Sequence, residues 1–368
     1  MNLRGDPQSQ ILAGSSQSFV WARAAETRTM KAVVYVSSKA TPVLANFAVK
    51  DDVPKPQPAD TQLLVKVEAA AINPVDLLIG QLGIFMASPL PFAAGCDFCG
   101  TVEAVGAGDA AQQFAVGDRV FGYTGLGKAG FGTFAEYAVV EASVALKCNA
   151  ATAMSSAQLA SVGVGMLTAA LGLFHALGLP MQCKAPGTSV LIWGASGSVG
   201  SWATQLARAA GYSVIAVCSA RNFDYVKQLG AQHVVDYGAP DAVAQIRALG
   251  SSSQPIRYAF STISSASCDL CVECLAGTAD AKLSSCQGAP TKTVEPAVPC
   301  ESVFLGSVPN PGPNMSFVEQ VRDTLCEWFD EGKLIPGRVR ELHGLDSVME
   351  GLQMVSAGMS GEKVVVVF

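Results

Sequence analysis

The feature of this sequence that most constrains its fold is a glycine-spaced turn between two apolar runs, within "SVLIWGASGSVGSWATQLARAAGYSVIAVC" from residue 189 to residue 218. Gly194, Gly197 and Gly200 follow one apolar run and open a stretch of helical periodicity, which ends before the second run. This order predicts a strand, a tight turn, a helix and a second strand parallel to the first. The chain is therefore expected to contain a β-α-β unit.

Each of these glycines has its own physical reason. The lack of a Cβ permits a tight turn at Gly194, lets the backbone at Gly197 approach a pyrophosphate, and lets helix and strand pack closely at Gly200. Phosphates would then lie at the helix N-terminus, where free N–H groups and the helix dipole favour an anion. The spacing predicts a dinucleotide site, and a purely structural glycine turn is the alternative.

The end of the second strand bears on which dinucleotide binds. A carboxylate about 20 residues after the glycines would bind the ribose hydroxyls of NAD, but Ser219 and Arg221 stand in this region and no acid does. Arg221 can pair with a 2'-phosphate, with Ser219 and Asn222 as neutral donors. The sequence therefore predicts NADPH; as the alternative, Arg221 is a solvated loop arginine.

The periodicity of the chain changes along its length. From Met30 to about Cys148 short strands broken by Gly and Pro predict mainly antiparallel β-structure. One helix is predicted from Ser155 to the stop at Pro180, and strands then alternate with helices, the last of these strands being "SVFLGSV". Residues 278–300 read as a loop, and the chain closes with a helix near "FVEQVRDTLCEWFDEG" and the strand "EKVVVVF". Such alternation predicts a doubly wound parallel sheet.

Composition narrows the class of protein. The 368 residues, 50% hydrophobic and 15% charged, are enough for two well-buried domains, and no apolar run reaches the ~20 residues needed to cross a bilayer. A net charge of -6 argues against a nucleic-acid partner. The 11 cysteines without an even pairing indicate reduced thiols and a cytoplasmic location. We expect residues 1–29 to be a disordered extension, with an organelle import segment as the alternative.

Several ordered segments resemble those of the medium-chain dehydrogenase/reductase superfamily, in its zinc-independent branch of quinone oxidoreductases and enoyl reductases. They include "AAAINPVDLLIG", "PFAAGCDFCGTVEAVG", "GDRVFGY", "GTFAEYAVV", "GMLTAALGLF", "GASGSVG" and "SGEKVVVVF". The "GCDF" and "SGEK" segments resemble fungal reductases that act in trans on polyketide chains. The resemblance implies an α/β fold in which a Rossmann doubly wound sheet, residues 156–311, is inserted into a GroES-like, mainly β catalytic domain, residues 30–155 and 312–368. Monomer and homodimer both remain open.

The resemblance also implies a set of cofactor contacts in the cleft between these domains. In addition to the glycines, the residues implied at the nicotinamide are Asn73, Thr168, Thr262, Ile263, Leu305, Gly306 and Ser307. Those implied at the pyrophosphate are Ser196, Gly197, Ser198 and Val199. Those implied at the adenosine phosphate are Ser219, Arg221, Asn222 and Tyr237, and Lys363 closes the site.

No metal is predicted. Zinc alcohol dehydrogenases of the superfamily need a Cys and a His-Glu pair where this chain has Asn73 and Cys96-Asp97, and one soft ligand plus a carboxylate does not complete a tetrahedral site. The C-x-x-C-x-x-C run of Cys268, Cys271 and Cys274 could suggest a structural metal centre. We interpret it instead as three small apolar residues on one side of a helix.

Hydride delivery to an electron-poor carbon is the chemistry that remains. The predicted substrate is a small molecule, an α,β-unsaturated carbonyl (an enone or enoyl thioester) or a quinone, reduced by NADPH. Many relatives place a tyrosine shortly after the "NPVD" segment, where this chain has Phe85 and no tyrosine. The catalytic candidates are therefore Asn73, as a hydrogen-bond donor, and Tyr123 or a ribose hydroxyl, as a proton donor. A non-catalytic NADPH-binding protein is the alternative.

Overall fold

The computed structural model describes residues 28–149, 153–185, 187–251, 254–308, 310 and 312–368. Nearly all of the predicted extension, residues 1–29, lies outside the described residues. Its last residue, Thr29, already belongs to the first strand.

The first part of the chain is mainly antiparallel β-structure, as the strand pattern predicts. Its elements in chain order are β1 (Thr29–Tyr35), β2 (Phe47–Pro54), β3 (Gln62–Ala71), α1 (Pro74–Leu82), β4 (Phe92–Ala93), β5 (Asp97–Val105), β6 (Arg119–Tyr123) and β7 (Tyr137–Glu141). β1 pairs with β2 and β4, while β3 pairs with β5 and β7, all antiparallel. Strand β5 also pairs with β6, so that Asp97 lies opposite Tyr123.

The second part forms the predicted doubly wound sheet. Its elements are α2 (Ser156–Ala160), α3 (Gly163–Ala170), β8 (Ser189–Trp193), α4 (Ser198–Ala209), β9 (Ser213–Cys218), α5 (Phe223–Gln228), β10 (His233–Asp236), α6 (Ala242–Leu249), β11 (Tyr258–Ser261), α7 (Ser265–Leu275), β12 (Lys282–Ser285) and β13 (Cys300–Ser302). The six strands are parallel, in the order β10-β9-β8-β11-β12-β13. The order reverses between β8 and β11, and dinucleotides bind at such a crevice.

Two of the predictions for this part are wrong. The predicted loop at residues 278–300 contains β12 and the first residue of β13. The segment "SVFLGSV" is not a strand: β13 ends at Ser302, and Leu305–Ser307 forms a 3-10 turn. Strand β12 escapes detection because two of its four residues are serines, Ser284 and Ser285, which are buried in the sheet.

The helix predicted from Ser155 to Pro180 is also broken. α2 ends at Ala160, α3 begins at Gly163, and the last turns, Leu171–Ala176, widen to a π-helix. The break lets the backbone N–H of Val164, in the first turn of α3, donate to the Asp97 carboxylate at 2.6 Å. This helix is therefore interrupted where it meets a buried charge of the first sheet.

The last part of the chain returns to the first sheet. Its elements are α8 (Pro313–Asp330), β14 (Val339–His343), α9 (Val348–Ala357) and β15 (Lys363–Val367). β15 pairs antiparallel with β3 and parallel with β14, giving the order β14-β15-β3-β5-β6. β14 and α9 have no counterpart in the sequence prediction. The domain boundaries at residues 155 and 311 remain a prediction, because α8 packs on both parts: the Phe329 ring is 5.7 Å from the Trp202 ring and 6.1 Å from the Phe121 ring.

Hydrophobic packing accounts for the run of three cysteines after the glycine loop. Cys268, Cys271 and Cys274 lie on α7 and are all buried in the core between this helix and the parallel sheet. Among the helices that the structure describes, none combines the length and the apolar character that a bilayer span requires.

Candidate active site

The glycine loop has the geometry that its spacing predicts. Gly194 has a φ of +86°, and a Cβ there would lie 2.5 Å from atoms of Ile263 and Thr262. A Cβ on Gly200 would overlap the carbonyl oxygen of Gly194, so that only glycine lets α4 pack against the end of β8. Gly197 differs, because the nearest atom to its Cβ would be the oxygen of Gly194 at 3.4 Å. The protein itself leaves the space above Gly197 open.

The loop ends at the N-terminus of α4, a helix of 12 residues with Gly197 as its N-cap. Ser196, Ser198 and Val199 are half-buried, so this terminus is accessible from the cleft. Backbone N–H groups of a first helical turn have no partner within the helix and attract anions. The arrangement can hold a pyrophosphate.

The residues predicted at the adenosine end lie together after β9. Ser219 precedes a 3-10 turn, Ala220–Asn222, which contains Arg221, and the Arg221 side chain is exposed. Tyr237 follows β10, the neighbouring strand, and is 56% exposed. Arg221 and Tyr237 are therefore both accessible to a ligand at this edge of the sheet.

Asn222 has a different environment from these two residues. Its buried amide Nδ2 lies within hydrogen-bond distance of three serine hydroxyls, Ser219 at 3.0 Å, Ser196 at 3.1 Å and Ser360 at 3.3 Å. Asn222 therefore joins the glycine loop and the end of β9 to the segment before β15.

Apart from Asn73, the residues predicted beside the nicotinamide come from three separate elements. Thr262 follows β11, is buried, and donates through Oγ1 to the carbonyl of Trp193 at 2.9 Å, while Ile263 is 49% exposed. Thr168 is buried on α3, and Leu305 is buried in the 3-10 turn after β13.

Two aromatic rings meet near this turn, and the sequence does not predict their contact. The ring of Phe304 packs over the backbone of Gly306, where it would overlap a Cβ. Its centroid lies 4.8 Å from that of Phe85, which belongs to the loop after α1, and both rings are about two-fifths exposed (42% and 40%). The segment with Gly306 and Ser307 is thus covered by an aromatic pair that bridges the two parts of the chain.

The floor of the cleft is built where strand ends of the first sheet meet. Ile72, the residue after β3, donates its N–H to Val364 on β15 at 3.0 Å, which brings its neighbour Asn73 next to Lys363. Asp97 begins β5, which runs antiparallel to β3, so its side chain reaches the same place. Asn73 is also the N-cap of α1, whose first residue is a proline.

These three side chains bond to one another and are buried. Asn73 Nδ2 donates to Asp97 Oδ2 at 2.8 Å, and Lys363 Nζ donates to Asn73 Oδ1. Lys363 Nζ lies 3.4 Å from Asp97 Oδ2. Asn73 Nδ2 also lies 3.4 Å from the carbonyl oxygen of Ala71 and 3.8 Å from the Cys96 sulfur. Both polar ends of the Asn73 side chain are therefore engaged within the protein.

Two further ionisable groups, Asp76 and Cys96, lie next to this network, and the sequence alone does not assign either of them to the site. Asp76 accepts the Asn73 N–H at 2.8 Å, and the Cys96 thiol points to its other oxygen at 3.7 Å. Burial, supported by the negative charge of Asp97, raises the pKa of Asp76 to about 7 although the Asn73 N–H lowers it. Burial also raises the pKa of Asp97, against the effect of Lys363, and that of the Cys96 thiol.

Tyr123, a predicted proton donor, lies beside this network. It is only 1% exposed, and among the described residues its hydroxyl has no hydrogen-bond partner. Burial, together with Cys96 and Asp97, raises the pKa of Tyr123 well above its usual value. The hydroxyl is thus a weak acid, but it is an unsatisfied buried polar group at the floor of the site.

One cleft connects this floor with the dinucleotide loop. It is lined on one side by Ser196, Gly197 and Ser198, and on the other by Gly361, Glu362 and Lys363. Arg338 and Tyr225 also line it, with the guanidinium 4.4 Å from the ring centroid. The sequence analysis missed Arg338, and no local pattern could have found it, because this residue lies more than 100 positions from the loop that it faces.

Comparisons with known proteins agree with this architecture. Residues 59–150 match the family model of the alcohol dehydrogenase GroES-like domain, and residues 198–307 match that of the zinc-binding dehydrogenases. Solved structures with this fold include a putative zinc-dependent alcohol dehydrogenase from Rhizobium etli, with a TM-score of 0.79, 26% identity and coverage of 93% of this chain and 98% of that one. An alcohol dehydrogenase superfamily protein from Novosphingobium aromaticivorans has a TM-score of 0.77 and 28% identity over 92% of this chain and 100% of that one.

Curated relatives narrow the type of reaction. A trans-enoyl reductase from Pyricularia oryzae is 33% identical over 362 residues, which cover 90% of this chain and 99% of that protein. A chloroplastic quinone oxidoreductase from Triphysaria versicolor is 37% identical over 195 residues, or 52% of this chain and 57% of that protein. Dehydrogenases of this type use nicotinamide cofactors and act on small molecules. The chain therefore belongs to the medium-chain dehydrogenase/reductase superfamily, as an oxidoreductase whose relatives include enoyl reductases and quinone oxidoreductases.

Proposed function

We propose that this protein uses NADPH, without zinc, to reduce a conjugated carbon-carbon double bond next to a carbonyl, as in an enone or enoyl thioester, or to reduce a quinone. The observation that carries the proposal is the cleft itself. It is lined by the open dinucleotide loop and by Lys363, whose ammonium bonds to the buried amide of Asn73 and faces the buried carboxylate of Asp97.

The residues of the first wall fit the cofactor. Space is open above Gly197, the α4 N-terminus is accessible, and Arg221 is exposed in the turn after β9. The pyrophosphate would bind the Ser196 to Val199 backbone, and a 2'-phosphate would pair with Arg221. When bound, the reduced nicotinamide supplies the hydride.

The donor set of the floor does not fit a zinc ion. A zinc site needs deprotonated thiolates, neutral imidazoles or carboxylates in a tetrahedral set. Here the Cys96 thiol has a raised pKa, the oxygen of Asn73 is occupied by Lys363, and an ammonium lies against Asp97. In the part of the chain that the structure describes, no three His, Cys, Asp or Glu side chains form a group that could hold a metal.

This environment favours a conjugated substrate. Reduction of an isolated ketone puts charge on one oxygen that a metal or a strong acid must stabilise. Conjugation spreads the charge over an enolate, which hydrogen bonds can stabilise. The amide of Asn73 already bonds within the protein, to Asp97 and to Ala71. The high pKa of Tyr123 makes solvent or a ribose hydroxyl the better source of the final proton.

A substrate that carries both a conjugated alkene and a separate ketone tests the proposal. With NADPH deuterated at the transferred position, we expect the label at the β-carbon of the former alkene, as read by NMR. Label at an isolated carbinol carbon would return the protein to the alcohol dehydrogenases. NADPH binding without turnover of any enone, enoyl thioester or quinone would instead favour a non-catalytic binding protein.

The metal content is tested separately. Elemental analysis of purified protein should find far less than one zinc per chain, and chelators should leave turnover unchanged. Stoichiometric zinc that is lost together with activity would contradict the proposed zinc independence.

A further inference from the structure

The floor of the cleft holds a buried cation whose role the proposed function does not assign. Lys363 is buried, with its side chain 10% exposed. The side chain of Lys55 is covered to a similar degree, 9% exposed, but it pairs with Glu103 on β5, away from the cleft. Removing an ammonium from water is costly unless partners replace its hydration. The position therefore requires a compensating role, either in the fold or in the chemistry.

The partners of Lys363 do not use all of its hydrogen-bonding capacity. An ammonium has three N–H donors; one donates to Asn73 Oδ1, and a second faces Asp97 Oδ2 at 3.4 Å. The Asp97 carboxylate already accepts shorter bonds from Val164 N at 2.6 Å and Asn73 Nδ2 at 2.8 Å. The ion pair between Lys363 and Asp97 is thus the longest of the contacts that this carboxylate makes. The third N–H of the Lys363 ammonium has no partner among the described residues.

The surroundings of Lys363 also place it within reach of a ligand. It lines the same cleft as Ser196 and Ser198 of the dinucleotide loop, and its side chain keeps 10% of its surface exposed. The titratable groups that face it are Asp97, Asp76 and Cys96, beside the neighbouring Glu362. The cleft therefore presents a fixed positive charge at the floor, opposite the site predicted for the cofactor.

We propose that Lys363 is a catalytic residue that donates its third N–H to the carbonyl oxygen of the substrate and stabilises the charge that develops there. This assignment rests on the proposed function. Hydride and its electron pair add to the β-carbon, the alkene π pair moves into conjugation with the carbonyl, and the oxygen becomes negative. The α-carbon then takes a proton from water, the cofactor leaves oxidised, and Lys363 stays protonated throughout. Preorganised charge of this kind acts most strongly in a site shielded from water.

A single Lys363→Met substitution is a poor test, because it would leave Asp97 buried without its cation. We would compare Asp97→Asn with the double variant Asp97→Asn/Lys363→Met, since both lack the carboxylate and they differ only in the ammonium. Lys66→Met, which removes an exposed ammonium from strand β3 of the same sheet, is the matched control.

The expected result is a kcat for the double variant about 100-fold below that of Asp97→Asn, the usual effect of losing one oxyanion donor. The Kd for NADPH, measured by fluorescence titration without substrate, should agree within about threefold between the two.

Two results would overturn the assignment, and they can be told apart. Equal kcat values with weakened NADPH binding in the double variant would make Lys363 a cofactor-binding residue and leave the proposed reaction intact. A wild-type protein that binds NADPH but reduces no enone, enoyl thioester or quinone would remove the reaction itself, and the role of Lys363 with it.

Discussion

The dinucleotide loop and the floor of the cleft face each other but are built in opposite ways. The loop is made of backbone: three glycines and the first turn of α4 shape it, and it leaves open space above Gly197. The floor is made of side chains, with Asn73, Asp97 and Lys363 bonded to one another and buried. One region is shaped by missing Cβ atoms and the other by charges that need partners.

Helix α3 connects these two regions. The N–H of Val164 bonds to Asp97 on the floor, and a Cβ on the next residue, Gly165, would lie 2.6 Å from the Ser198 hydroxyl and 2.8 Å from the Trp202 ring. The same short helix therefore fixes the position of the floor and that of the cofactor loop. A disturbance of one region is expected to reach the other through α3.

The comparison predicts its largest effect at Gly200. Gly200→Ala should destabilise the protein by about 3 kcal/mol or more, because the new Cβ would overlap the backbone oxygen of Gly194, which cannot move without disrupting β8. Urea unfolding would measure the change. A Gly200→Ala protein as stable as wild type would show that the loop is not limited by backbone packing.

The second prediction concerns the floor. The pKa of Asp76 is about 7 in the folded protein, against about 3.9 in an unfolded chain. The folded state therefore binds a proton between these values that the unfolded state has lost, so stability falls as pH rises through this range. Wild type should lose about 2 kcal/mol relative to Asp76→Asn between pH 5 and pH 8.

Denaturant unfolding at several pH values tests this prediction. Asp109→Asn, at an exposed position, is the control and should show no such pH-dependent difference from wild type. If wild type and Asp76→Asn change in parallel over the whole range, Asp76 does not titrate there and the floor is less charged than we infer.

The same contrast explains how much the sequence could predict. Each glycine of the loop has a local steric reason, so the turn, the packing contact and the open position could be inferred from spacing alone. The steric role predicted for Gly194 is confirmed by its positive φ, and that predicted for Gly200 by the overlap that a Cβ would make. The floor joins residues 24 and 290 positions apart. Asn73 and Lys363 were assigned through a family resemblance, but their mutual bond is a product of strand pairing that no local pattern contains.

Side chains that bond within the protein also account for the other differences. Asp97 was considered only as an inadequate zinc ligand, yet it joins Asn73, Lys363 and the start of α3. Strand β12 was missed because its buried residues include serines, one of which accepts a bond from the Cys268 thiol at 3.2 Å. Hydrophobic periodicity does not detect elements that are held by polar contacts.

The third prediction concerns Gly197, whose substitution should affect cofactor binding more than stability, in contrast to that of Gly200. Gly197→Ala should cost less than about 1 kcal/mol of stability, a helix N-cap effect, because its Cβ meets no atom of the protein closer than 3.4 Å. It should weaken NADPH binding at least about tenfold, equivalent to 1.4 kcal/mol, because the Cβ would lie where the pyrophosphate approaches. Isothermal titration calorimetry would measure the affinity, and unchanged binding would show that the cofactor does not contact this position.

The smallest effect is expected at the adenosine edge, where the interaction depends on one exposed side chain. Wild type should bind NADPH at least about tenfold more tightly than NADH, and Arg221→Ala should reduce this ratio to about threefold. The change is modest because Arg221 is exposed to solvent, so water and salt screen its pairing with a 2'-phosphate.

The control is Arg257→Ala, which removes another exposed arginine and should leave the ratio unchanged. Arg257 lies next to β11, at the opposite end of that strand from the cofactor site. When the salt concentration is raised, the ratio for wild type should fall towards that for Arg221→Ala, since screening weakens a contact that only wild type makes. Equal affinities of the wild type for the two cofactors would show that this edge merely lacks an acid that would exclude NADPH, and that Arg221 adds no preference for it.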